Sequence, residues 1–166
     1  NKVAYPDRPS AEDPSRRIPV EAEDLALLTV RTKGGALGTI EATKIATGSQ
    51  DELRFEIHGT RGAMRFNLMQ PNYLEVYNAQ APPGPHGGDQ GWKAIDTVQR
   101  FPRPAGWPTP KAGIGWLRGH VHCLYNFLCA VAAGTKAEPG IEVGIRLQEI
   151  TDAAYRSDAS RQWVKV

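Results

Sequence analysis

Between Leu25 and Val98 the apolar residues form short strand-like runs, and from Leu117 onward they recur every three or four positions. This change of period divides the chain into a sheet-forming part followed by a helical part. The clearest strand is the stretch in which Leu53, Phe55 and Ile57 alternate with Arg54, Glu56 and His58, so that one face is apolar and the other polar. His58-Gly59-Thr60-Arg61-Gly62 supplies a turn and Ala63 to Asn67 the returning strand. Upstream, Leu25 to Val30 and Ala36 to Ala46 make another pair around Lys33-Gly34-Gly35. Tyr73 to Tyr77 and Trp92 to Val98 add two strands, separated by the Pro/Gly-rich loop from Ala81 to Gly91.

Prolines 102, 104, 108 and 110 forbid a regular element after Phe101. Leu117, Val121, Leu124, Leu128 and Val131 then lie on one face of a helix that Gly134 terminates. Ile141, Ile145, Leu147, Ile150 and Ala154 mark a second helix running to about Ser157, and Trp163 to Val166 reads as a last strand with Trp163 in the core. Strands followed by helices predict an α+β fold, a largely antiparallel open-faced β-sheet with helices packed on one face. The uncovered face calls for a partner, and a second copy, giving a dimer or tetramer, is the economical choice. Residues 1–19 carry Pro6, Pro9, Pro14 and Pro19, which argues against regular pairing there and for a leader or linker ahead of a domain spanning 20–166.

Composition narrows the function classes. With 166 residues, 40% of them hydrophobic, the chain is long enough to bury a sizeable core without disulfides or metal. Its 20 basic and 18 acidic residues are intermingled, without the basic stripe that nucleic acid requires. No run reaches the roughly 18 apolar residues of a membrane span, and the first residues lack the form of a signal peptide. Cys123 and Cys129, six apart on a helix, face different directions and read as reduced thiols of a cytoplasmic protein.

No glycine-rich nucleotide fingerprint, phosphate loop or nucleophile elbow is present, so a complete active site is not found. His120 and His122 point to different faces of their helix, poor geometry for one metal. His120 either reaches a pocket or hydrogen-bonds within the fold. Lys44, at the end of the second strand and before the polar turn Thr47-Gly48-Ser49-Gln50, either leans over an opening to donate to hydroxyl oxygens or is an ordinary exposed lysine. Asp51 and Glu52 are adjacent on the chain and face apart. Trp107 and Trp116 are candidates for a sugar-stacking rim, or for anchors of the proline-rich loop.

Glu23-Asp24-Leu25-Ala26-Leu27-Leu28 with Gly34 to Ala42, Phe55 to Met64, Gln70 to Tyr77 and Asn126 to Val131 with Gly134 occur together in an order that resembles the C-terminal domain of the glucose-fructose oxidoreductase and inositol dehydrogenase (Gfo/Idh/MocA) family. The resemblance covers residues 20–166 and implies that family's dihydrodipicolinate-reductase-like C-terminal fold. It further implies a parent dehydrogenase that moves hydride between a sugar or polyol carbon and NAD or NADP held in a preceding Rossmann domain. On this reading the catalytic residues lie ahead of Asn1, the present residues are inactive alone, and Lys44, His120 and Trp116 form substrate-pocket walls. Lys44 stands where many relatives carry arginine, and a lysine offers a point charge instead of a planar fork. A non-catalytic carbohydrate-binding or scaffold domain is the alternative.

Overall fold

The computed structural model describes residues 1–97, 113 and 115–166. Its elements in chain order are β1 (Asp7–Pro9), β2 (Arg17–Pro19), β3 (Leu25–Arg31), β4 (Leu37–Thr43), β5 (Arg54–Gly59), β6 (Gly62–Asn67), β7 (Tyr73–Asn78), β8 (Trp92–Asp96), α1 (Trp116–Ala133) and α2 (Ile141–Ser160). Antiparallel sheets and two helices give the α+β fold expected from the change of hydrophobic period. The chain divides into two units, one made of Asn1–Ser49 with Ile141–Val166 and the other of Gln50–Gly140.

In the first unit β3 pairs with β4 from Leu25 opposite Thr43 to Arg31 opposite Leu37. Thr32 closes the turn, its hydroxyl accepting the Ala36 N–H at 3.1 Å and its own N–H donating to the Ala36 carbonyl at 2.9 Å. The proline-rich stretch departs from expectation, because β1 and β2 form an antiparallel pair. Pro9 and Pro19 occupy strand ends, and the flanking bonds are made by Ser10 N–H to the Arg16 carbonyl and Val20 N–H to the Pro6 carbonyl, both 2.8 Å. No proline nitrogen is asked to donate, which is the condition under which prolines tolerate a ladder. Arg17 and Asp7 add an ion pair across it.

Helix α2 runs to Ser160, three residues beyond the expected end, and the Ser157 hydroxyl donates to the Gln162 carbonyl at 2.6 Å. The segment after it is not a strand, and Trp163 is not in the core: it is 65% exposed, with the Arg31 guanidinium 5.5 Å from its ring centroid. Arg161 takes a left-handed φ of 56° that turns the chain away from extended pairing.

In the second unit β5 to β8 form a four-stranded antiparallel meander in sequence order. Register puts Phe55 opposite Phe66, Ile57 opposite Met64, Met64 opposite Val76 and Leu74 opposite Ile95, which gathers these apolar residues on one face, with Lys93 opposite Val76 at its β8 edge. The other face carries Arg65, whose Nε and Nη2 donate to the two Glu75 carboxylate oxygens at 2.7 and 3.0 Å. That guanidinium also lies 4.3 Å from the Trp92 ring centroid. Gly62, at the start of β6, stands against the Tyr77 carbonyl of β7 with no room for a Cβ.

Helix α1 matches the expected span and ends at Gly134, which adopts φ 63° and ψ 27°. The Gly134 N–H donates to the Val131 carbonyl and the Thr135 N–H to the Ala130 carbonyl, closing the helix C-terminus. An alanine at 134 would have to enter the same left-handed region, and Gly134→Ala is expected to lower unfolding free energy by about 1 kcal/mol in a urea titration. Among the described residues only Asp24, Ala81 and Ala153 are buried, while the apolar stripe of α1 and the apolar sheet residues Phe55, Ile57 and Met64 remain open. Among the described residues these apolar side chains gather on the α1 stripe and on one face of the β5–β8 sheet.

Candidate substrate-pocket residues

Asp24, the residue just before β3, organises the polar centre of the first unit. One of its carboxylate oxygens, Oδ2, accepts the N–H groups of Ala4 at 2.7 Å and Tyr5 at 3.0 Å, and the other, Oδ1, lies 3.5 Å from Lys44 Nζ. The backbone reinforces this, since the Lys44 N–H donates to the Asp24 carbonyl at 3.0 Å and the Asp24 N–H to the Lys2 carbonyl at 2.8 Å. Beside it the Tyr155 hydroxyl donates to Glu23 at 2.8 Å, a bond that pulls the Glu23 carboxyl down and pushes the Tyr155 phenol up.

The N–H groups of Tyr5 and Ala4, with a smaller contribution from Lys44, hold the Asp24 carboxyl below its ordinary value of 3.8. A carboxyl depressed in the fold binds fewer protons there than in the unfolded chain. Its stabilisation is complete above the unfolded value and is lost as pH falls from about 4 through the lower folded value. Thermal midpoints followed from about pH 5 to about pH 2 should therefore fall more steeply for the native chain than for Asp24→Asn. Parallel curves would remove Asp24 from the acid transition.

Lys44, one residue past β4, keeps a side chain 59% exposed although its ammonium is drawn to Asp24. Trp116 and His120, one turn apart on α1, meet edge to face with ring centroids 4.9 Å apart. Both are exposed. Lys44 belongs to the first unit and the Trp116–His120 pair to the second. Trp107 and the end of the strand expected to reach Val98 lie outside the described residues. Glu52 is taken up by Asn67 Nδ2, at 2.8 Å.

A nicotinamide dinucleotide is normally held where a parallel strand runs through a glycine-rich turn into a helix. Every strand pair among the described residues is antiparallel. By chemistry Lys44 is a cationic donor, and the His120–Trp116 pair presents an imidazole and an indole face.

The family described as "Oxidoreductase family, C-terminal alpha/beta domain" matches residues 2–166. The chain belongs to the Gfo/Idh/MocA oxidoreductase family. Within it, the levoglucosan dehydrogenase of Pseudarthrobacter phenanthrenivorans is 32% identical over 149 residues, 89% of this chain and 37% of that protein. A levoglucosan dehydrogenase solved in complex with NADH and L-sorbose is 30% identical with a TM-score of 0.86, over 98% of this chain and 42% of that one. An oxidoreductase domain protein from Kribbella flavida is 33% identical with a TM-score of 0.84, over 96% and 40%. The chain thus spans about two-fifths of the length of these Gfo/Idh/MocA relatives and corresponds to their C-terminal domain.

Reasoning from the residues singled out Lys44 but not the carboxylate that engages it. In the sequence Asp24 stands before an apolar run and inside the family-like run Glu23 to Leu28, and neither pattern marks Lys44 as its partner.

Proposed function

We propose that this Gfo/Idh/MocA domain is the substrate and oligomerisation part, residues 20–166, of an NAD- or NADP-dependent dehydrogenase acting on a sugar or polyol in the cytoplasm. Lys44, His120 and Trp116 supply walls of the substrate pocket. The nicotinamide and the proton-transfer residues belong to a Rossmann domain ahead of Asn1, and the present chain alone is inactive. The apolar face of the β5–β8 sheet docks a second copy, giving a dimer or tetramer. The observation that carries this reading is the 32% identity to a levoglucosan dehydrogenase across 89% of the chain.

The test is to express the complete reading frame containing this chain and follow the absorbance of reduced nicotinamide with NAD and NADP. The substrates are levoglucosan, L-sorbose, glucose and inositol, with residues 1–166 alone as control. Turnover by the complete protein with at least one of them, and none by the control, is the expected result. Failure on all four, together with glycan binding by residues 1–166, would overturn it in favour of a carbohydrate-binding module.

A further inference from the structure

We infer that Asp24 is a positioning residue that aims Lys44 at the substrate hydroxyls; this rests on the reading of Lys44 as a pocket residue. A lysine at a strand end has a flexible four-carbon stem, and an unanchored ammonium there would spread over many rotamers. Asp24 removes that freedom. It is the one charged side chain buried among the described residues, and its carboxylate is itself held rigidly by two backbone N–H groups.

The division of labour between its oxygens gives the inference its content. Both backbone N–H groups go to Oδ2, while Oδ1 faces Lys44 Nζ at 3.5 Å. One oxygen therefore fixes the carboxylate, and the other directs the ammonium. An ammonium has three N–H donors, so pairing one with Oδ1 leaves two for oxygens of a bound polyol, and neighbouring hydroxyls on a ring present acceptors at a matching spacing. The 59% exposure of the Lys44 side chain leaves that approach open. Glu23, next to Asp24, is occupied by the Tyr155 hydroxyl and does not compete for this ammonium at hydrogen-bond distance.

Asp24→Asn separates the two roles. The amide oxygen can keep the Ala4 and Tyr5 N–H groups, while the NH2 replaces the acceptor that faced Lys44. In the complete dehydrogenase, Asp24→Asn is expected to raise the sugar KM about tenfold with kcat and the nicotinamide KM little changed. Lys44→Met should do the same, and the double variant no more than either alone.

An unchanged sugar KM in Asp24→Asn, with a raised one in Lys44→Met, would overturn the positioning role and leave the pocket reading standing. Kinetics unaltered by Lys44→Met would overturn the pocket reading, and this inference with it. If Asp24→Asn does not fold, Asp24→Glu serves instead: it keeps the charge but moves the oxygens by one methylene, and the same selective rise in sugar KM is expected. A native sugar KM in Asp24→Glu would then overturn the positioning role.

Discussion

Gly62→Ala is expected to lower unfolding free energy by about 3 kcal/mol, near the top of the usual range for forcing extra volume into a packed site. A Cβ built at this position falls 2.3 Å from the Tyr77 carbonyl oxygen and 3.5 Å from its carbon, both main-chain atoms of β7. A flexible side chain could swing aside, but a ladder carbonyl cannot. Gly62 pairs with Gly59 on one side and Asn78 on the other, so relieving the clash means opening the β6–β7 register at its first pair. Gly119→Ala is the control of opposite sign. Outside the helix's own backbone no atom of the described residues lies within 4 Å of a Cβ there, and an alanine inside α1 should add about 0.5–1 kcal/mol. Urea midpoints of the two variants should move in opposite directions, and a neutral Gly62→Ala would mean that the close approach is relieved at little cost.

Ile57→Asp is expected to weaken self-association of the complete protein about a hundredfold or more, read by sedimentation across a dilution series. Ile57 is 55% exposed in the middle of β5, between Phe55 at 42% and its cross-strand partner Met64 at 40%. These side chains form one continuous apolar patch, and burying a carboxylate within it leaves a charge without a partner. The native protein should stay assembled at concentrations where Ile57→Asp sediments as a smaller species. If Ile57→Asp assembles normally and Arg65→Glu does not, the interface is the opposite, polar face, and our choice of face is wrong.

What could be read from the chain was what its near neighbours determine. The alternation from Leu53 to His58, the Gly59–Gly62 turn and the spacing from Leu117 to Val131 each concern residues within a few positions of one another, and all three recur in the fold. The edge-to-face pair of Trp116 and His120 also joins near neighbours, four apart on a helix. Features set by distant partners were not legible. Pairing of β1 with β2 depends on where four prolines fall relative to a ladder, and burial of Asp24 depends on N–H groups 19 and 20 positions away. Trp163 reads as core from its residue type alone, whereas in the fold it is 65% exposed and its ring meets the Arg31 guanidinium of β3. Among the candidate residues, the Asp24–Lys44 partnership was not legible, because it joins distant positions of the chain.

The clamp on Ala4 and Tyr5 also has a mechanical side. Lys2 bridges to Leu25 through N–H and carbonyl bonds of 2.9 and 3.2 Å, and the next two N–H groups but one end on Asp24, so the first residues are pinned to the edge of β3 before the chain reaches β1. The segment from Lys2 to Tyr5 is therefore a fixed mount on β3 and not a swinging tether, and two routes lead from it to Lys44: the Asp24 carboxylate that grips the mount and faces the ammonium, and the Asp24 carbonyl that accepts the Lys44 N–H.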